Sequence, residues 1–228
     1  MRQRRVPIAA ALLALGGVWL ASPPSQALNT KQLNLADMVR QSAEIVSGTV
    51  TAVDQGIDQR GLPYTQVQVK VAETIRGTAV PTLTFRQFGL QTAQPAADGR
   101  KFLGLVAGMP RYAKGDQVFL FLSQPSTIGL RTTVGLEQGR FALRGGNLYN
   151  GANNAGLFRG VDLAKARLNV NEKSMVATQQ GAVHGDTFLG LVRRAVSEKW
   201  WDTPPEAPKP PVATRPQVRV VKEGGLAQ

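Results

Sequence analysis

Between Glu44 and Gly77 the chain reads EIVSGTVTAVDQGIDQRGLPYTQVQVKVAETIRG, two strand-like runs joined by a polar, glycine-bearing connection. In the second run Val67, Val69 and Val71 alternate with Gln66, Gln68 and Lys70. That period of two places valines on one face of a sheet and polar groups on the other. In the first run Val46, Val50 and Ala52 share one face, and Ser47, Thr49 and Thr51 share the opposite one. An antiparallel pair buried on one side follows, and later segments must supply its cover.

The flanking sequence extends this pattern. Asn34 is placed to cap a short helix with Asp37 in its first turn, and Leu35, Met38 and Val39 fall at i, i+3 and i+4. The connection from Asp54 to Pro63, with Gly56 and Gly61, predicts a longer hairpin loop. A third run, TLTFRQF, sets Leu83 and Phe85 against Thr82, Thr84 and Arg86. After the turn Lys114-Gly115-Asp116, the run QVFLFLS is apolar on both faces, which predicts a central strand. LEQGRFAL is the candidate fifth strand. Five short strands with long loops predict a mainly β fold: a small closed or nearly closed five-stranded barrel of the OB type, over residues 28–145.

Residues 146–201 form a glycine- and asparagine-rich segment followed by a C-terminal helix. Asp186 is its expected cap, with Phe188, Leu191, Val192, Ala195 and Val196 as one apolar stripe and Trp200 and Trp201 closing it. Gly190 weakens that helix by about 1 kcal/mol relative to alanine. Residues 202–228, with PPEAPKPPVATRP, have the composition of an extended, disordered proline-rich tail. His184, between Val183 and Gly185, is expected in a solvated loop.

The first 27 residues have the plan of a signal peptide. Arg2, Arg4 and Arg5 precede the apolar run IAAALLALGGVWL, and Ser25-Gln26-Ala27 offers small residues at a cleavage site. The apolar run is shorter than the roughly 20 residues that span a bilayer. No cysteine follows it, which excludes a lipoprotein, and no second run of spanning length occurs. The expectation is an exported protein, periplasmic or secreted, with no stable membrane span after cleavage. The formal net charge is +12 and falls to +9 when the three leader arginines are removed. Such a balance favours an anionic partner, whether a polyanionic polymer, lipid head groups or an acidic protein or envelope component; the alternative is an ordinary basic secreted protein whose charges only keep it soluble. An exported chain without cysteine has no disulfide staples, so its core alone must hold it.

Taken in order, AEIVSGTVTAV, YTQVQVKVAETIRG, GMPRYAKGDQVFLFL and GRFAL resemble the netrin-like modules, which include the tissue inhibitors of metalloproteases, and more nearly a group of uncharacterised secreted bacterial proteins. The resemblance spans roughly Leu35 to Leu143 and implies an OB-like barrel. One family property does not carry over. The metalloprotease inhibitors reach the protease zinc through an N-terminal cysteine, and this chain has none.

Chemistry narrows by exclusion. His184 is the single histidine, so H-E-x-x-H zinc sites and cysteine-based sites are excluded, and no metal or cofactor is expected. No G-x-S-x-G elbow accompanies His184. Gly151-Ala-Asn-Asn-Ala-Gly156 has the glycine spacing of a phosphate loop without the following Lys and Ser/Thr, and reads as a turn. The acids are scattered, and aromatics make up 6% of the chain, too few for an ordinary sugar-cleaving enzyme. Nucleic-acid binding needs aromatics in a basic groove; the early strands carry few, Tyr64 and Phe85 among them, and the basic residues are dispersed. The expectation is no catalytic residue and no nucleic acid: a non-catalytic module that binds a protein or envelope partner. A basic accessory that holds polyanions at a surface or matrix, and an unusual hydrolase, are the alternatives.

The candidate contact surface is the long connection between the third and fourth strands, residues 88–112. Hairpin loops usually have 2–5 residues, and this one carries Leu90, Phe102, Leu103, Leu105, Val106 and Met109. It reads as a cover over one barrel end whose rim meets the partner. The residues proposed for that contact are Phe88, Leu90, Arg100, Lys101, Phe102, Arg111 and Tyr112.

Overall fold

The computed structural model describes residues 31–95, 101–102, 106–164 and 166–201. The signal-peptide and tail assignments therefore lie outside the described residues. The chain forms α1 (Leu35–Gln41), β1 (Glu44–Ile57), β2 (Pro63–Arg76), β3 (Thr82–Phe88), β4 (Gln94–Pro95), β5 (Lys101–Phe102), β6 (Gln117–Leu122), β7 (Arg140–Arg144), β8 (Asn147–Asn150), α2 (Val170–Val176), β9 (Val183–His184) and α3 (Gly185–Ser197). A 3-10 turn, Leu136–Gly139, leads into β7. Seven strands make one antiparallel sheet in the order β3-β2-β1-β6-β7-β8-β9, and β4 and β5 pair separately.

The alternation expected for β2 and β3 is present. Val67 and Val69 are fully buried, as are Leu83 and Phe85 in large part, while Lys70, Thr82, Thr84 and Arg86 are exposed. β6 is the fourth of seven strands and buried on both faces. Phe119 and Phe121 point into one core, and Val118, Leu120 and Leu122 into the other.

The first core lies under the helices. It joins Phe119, Phe121, Phe141 and Phe188 to Leu35, Met38, Leu157, Leu191, Val192 and Trp201. The rings meet edge-on or tilted, with centroids 5.0–6.3 Å apart. Burying each such ring stabilises the fold by about 1.5–3 kcal/mol. The second core is drawn from β1, β2, β3 and β6 together with Tyr112, and it is mostly valine and leucine. Register shifts in β1 at Ile45/Val46, Ser47/Gly48 and Val50/Ala52 bend that half of the sheet.

The closed five-stranded barrel is not what forms. The five expected strands are present, but the sheet is open. Closure would need the strand after β6 to return to β3. Instead Gly145 and Gly146, both at positive φ (55° and 78°), make the tight turn that suits a two-residue hairpin. β7 therefore folds directly onto β8, and β9 extends the ladder further. Among the described residues the outer edge of β3 receives one backbone bond, from Arg131 N–H to the Arg86 carbonyl at 2.6 Å.

Other boundaries shift for local reasons. LEQG is the 3-10 turn and only Arg140–Arg144 is strand. β1 and β2 run on to Ile57 and from Pro63, so the first hairpin loop is short and held by Asp58, whose side chain accepts from the N–H groups of Arg60 and Leu62 at 2.9 Å. Asn34 caps α1 by accepting from Asp37 N–H at 2.9 Å, as its position predicts. His184, expected in a loop, ends β9 and occupies the N-cap position of α3, with Asp186 inside the first turn. The glycine- and asparagine-rich segment holds β8 and α2. Asn169 and Glu172 form a capping box there, and Arg194 pairs with Glu172 at 2.6 Å. Among the described residues no helix is long and apolar enough to cross a membrane.

Candidate functional site

The connection after β3 is anchored by glutamines. Gln87 points inward and its Nε2 donates to the Pro110 carbonyl at 2.8 Å. Gln91 bonds both backbone groups of Tyr112: its Nε2 donates to the carbonyl at 3.0 Å, and its Oε1 accepts from the N–H. Gln55 on β1 accepts from the N–H of Gln91 at 2.9 Å and of Thr92 at 3.2 Å. Amide side chains suit this work because each offers a donor and an acceptor to a backbone that has no strand partner. The two feet of the connection are thereby tied together and to the sheet.

The proposed contact residues separate on this scaffold. Leu90 and Tyr112, each 4% exposed, are buried at the feet, where Tyr112 stacks edge-on against Phe85 at 5.8 Å. Phe88 is 40% exposed and Arg111 is also at the surface. Lys101 and Phe102 form β5, paired with β4. Arg100 lies outside the described residues.

Phe88 belongs to a patch the sequence reading did not assemble. Opposite it in register is Tyr64, and opposite Arg86 is Gln66, all on the outward face. The Tyr64 ring lies across Gly56, where a Cβ would come within 3.1 Å of the Tyr64 hydroxyl. Arg86 stacks on that ring at 4.5 Å from its centroid, and its Nε donates to Gln66 Oε1 at 2.8 Å. Ile57, at the end of β1, is exposed, as is Ile128, whose carbonyl accepts from Arg60 Nη2 at 3.3 Å. Phe88 and Ile57 thus lie at the end of the sheet that carries the first hairpin but on opposite faces, since Ile57 pairs with Pro63, one residue out of step with Tyr64 and Phe88. Ile128 reaches this end through Arg60. Arg60 is neutralised there by Asp58 at 2.7 Å. The Leu62 N–H and then the Arg60 side chain hold the Asp58 carboxyl below its ordinary range. Arg86 has no carboxylate partner among the described residues.

The alternating strand pattern already placed Arg86 outward and, by parity, Phe88 beside it. The hairpin register that sets Tyr64 opposite Phe88 is not written in periodicity, and neither is the approach of Ile128.

His184 borders a different feature, a groove of about 460 Å³ lined by Asn147, Asn171, Ser174, Met175, Thr178 and Thr187 among others. Its Nδ1 lies 3.3 Å from Thr187 Oγ1. No carboxylate lines the groove, so among the described residues that line it the imidazole has the Thr187 hydroxyl beside it and no acid to orient it as a base. Asn154, inside the glycine-spaced turn, is spent on structure: its Nδ2 donates to the Leu148 and Gly181 carbonyls at 2.8 and 2.7 Å. Among the described residues six carboxylates are engaged by arginines: Asp37, Glu44, Asp58, Glu73, Asp116 and Glu172. Among the described residues no three His, Cys, Asp or Glu gather in a way that could hold a metal ion.

Compared with models of protein families, with curated proteins and with solved structures, the chain matches none.

Proposed function

We propose that this chain is an exported, non-catalytic binding module that recognises a protein partner of the cell envelope or its surroundings. The observation that carries the proposal is exposed Phe88 in register with Tyr64, on whose ring Arg86 stacks, all on the outward face, with exposed Ile57 on the other face of the same sheet end. Apolar side chains gathered at a surface mark interaction sites, and Tyr, Phe and Arg are enriched in interface cores. The long connection rises from the same end, and its glutamine-tied feet keep it in register with the patch. The netrin-like resemblance in strand order favours the same class of function, without the cysteine-directed inhibition of proteases.

The test is capture from an envelope extract by the mature chain immobilised on resin. Phe88→Ser combined with Ile57→Ser is expected to abolish capture while thermal unfolding stays cooperative. Replacing residues 91–107 by a short Gly-Ser linker is expected to reduce it as well. Unchanged capture by the double variant would sink the proposal. Loss of all capture from wild type at moderate salt would favour the polyanion-binding alternative, because exposed charge attraction is screened within about 10 Å at 0.1 M.

A further inference from the structure

The outer edge of β3 has an open hydrogen-bonding row. Gly89 N–H donates to the Pro63 carbonyl at 2.9 Å and Val71 N–H to the Pro81 carbonyl at 3.0 Å. These bonds fix which β2–β3 pairs are hydrogen-bonded, because the pattern alternates in an antiparallel ladder. Pairs 65/87, 67/85 and 69/83 bond inward. The N–H and C=O groups of Thr82, Thr84, Arg86 and Phe88 consequently turn away from β2. Among the described residues only one of these groups finds a partner, the Arg86 carbonyl on Arg131 N–H.

Natural edge strands are blunted by proline, bulges, inward charges or a covering segment. TLTFRQF has no proline and no shift in its register with β2, and the Arg131 contact covers only its later part. Among the described residues nothing bonds the outer side of the stretch from Thr82 to the Arg86 N–H, which is long enough for a segment of about five extended residues. The opposite edge of the sheet offers nothing comparable, since β9 has two residues and runs straight into α3.

We propose that this edge takes an extended, acidic segment of a partner protein as an additional strand, with a carboxylate of that segment on Arg86. The strand's backbone would bond Thr82 and Thr84, and Arg131 would mark where the pairing ends. Arg86 is prepared for the acid: the Tyr64 ring and Gln66 hold its guanidinium, Nε is occupied, and both Nη atoms remain available to a carboxylate fork. Lys70 is exposed on the same outward face. A second copy of this chain is a poor occupant, because its own Arg86 and Lys70 would meet these, on a chain of net charge +9 without the leader arginines.

The inference rests on the binding-module proposal only in taking the partner to be a protein, and its test needs no natural partner. Two labelled hexapeptides of alternating threonine and valine, one with a central glutamate and one with lysine there, are titrated with the full chain and read by fluorescence anisotropy. The glutamate peptide is expected to bind at least about tenfold tighter, the scale of a charge-assisted hydrogen bond. Thr84→Pro removes an outward N–H at an edge position where proline is tolerated, and should weaken binding by at least about tenfold, the scale of lost ladder bonds. Arg86→Glu changes an exposed side chain and should reverse the preference to the lysine peptide, which decides the matter even if Thr84→Pro misfolds. No saturable binding of the glutamate peptide would overturn the inference, as would equal affinity for both peptides or an Arg86→Glu chain that keeps the original preference. Such failure leaves the apolar patch standing. Peptide binding that persists while the Phe88→Ser, Ile57→Ser chain captures as wild type would instead remove the patch and keep the edge.

Discussion

The two sides of β6 solve the same problem with different materials. On one side, four phenylalanines interlock with three helices and the closing tryptophan, so cover and core are both apolar and tightly shaped. On the other, valines and leucines from four strands are capped by Tyr112 and by a connection whose feet depend on glutamine side chains. The first arrangement leaves little polar surface to satisfy. The second leaves buried polar atoms unpaired, namely Gln87 Oε1, Tyr112 Oη and Arg140 Nε. Unpaired buried groups cost stability, and here they concentrate beneath the segment that leads to the proposed contact surface. The helical side behaves as the foundation, and the loop-covered side carries the tolerance that binding surfaces need.

The contrast can be broken most severely from the foundation. Phe188→Ala removes a fully buried ring that touches Phe119, Phe141 and Phe158, and should cost about 3–5 kcal/mol. Val69→Ala in the other core should cost about 1–2 kcal/mol, as two methyl groups leave less space. Urea titrations with unchanged slope would measure both, and equal losses would contradict the asymmetry.

Next in size is the strap between the two regions. Glu44 and Arg131 form a buried pair at 2.5 Å, side chains 8% and 11% exposed, which ties the segment after β6 to the start of β1. Arg131→Ala strands a buried carboxylate and should lower stability by about 3 kcal/mol. A loss no larger than that of an exposed pair such as Arg60–Asp58 would show that the strap is dispensable.

Gln91→Ala should act locally. Two bonds to Tyr112 disappear, so amide exchange between residues 90 and 112 should quicken while global stability falls by only about 1–2 kcal/mol. Exchange that stays slow in that stretch would assign the anchoring elsewhere.

The smallest expected change has the opposite sign. Burial pushes the Tyr112 hydroxyl well above its ordinary pKa, with Arg140 and then the nearby Thr133 side chain opposing the shift, although the hydroxyl makes no well-formed hydrogen bond to either. Above about pH 10 the unfolded tyrosine loses its proton and the folded one keeps it, so stability contributed by this group is fully present below the unfolded value and is lost as pH rises from there through the raised folded one. Tyr112→Phe removes an unpaired hydroxyl, should stabilise by up to about 1 kcal/mol at neutral pH, and should flatten the alkaline loss. A destabilised Tyr112→Phe chain would mean that the hydroxyl has a partner.

Much of the sheet could be read from alternation, because burial on one face writes itself into every second residue; Val67, Val69, Leu83 and Phe85 were legible for that reason. β6 was legible as central because both its faces are apolar. α1 was legible through Asn34 and the i, i+3, i+4 pattern. The open edge was not, because Gly145 and Gly146 fall where the sequence reading has a glycine- and asparagine-rich segment and no turn. The run that follows it, NLYN, is too short and polar to announce a strand, and its backbone is organised by Asn150 and Asn154 side chains whose partners are distant in sequence. The site divided in the same way. Phe88 and Arg86 face outward by strand parity, whereas the burial of Leu90 and Tyr112 depends on glutamines with no periodic signature.

One consequence of β6 concerns the order of events during folding. The strand supplies residues to both cores, yet it follows β1 by some sixty residues and pairs directly with it. A chain that has emerged only through β3 holds a meander with its valine face bare, and the phenylalanine core has not begun. Neither half has anything to gain from waiting for the other, because both wait for the same six residues, Gln117–Leu122. Their arrival commits the two halves together, so the domain should mature in a single late step rather than by stepwise growth from its N-terminus.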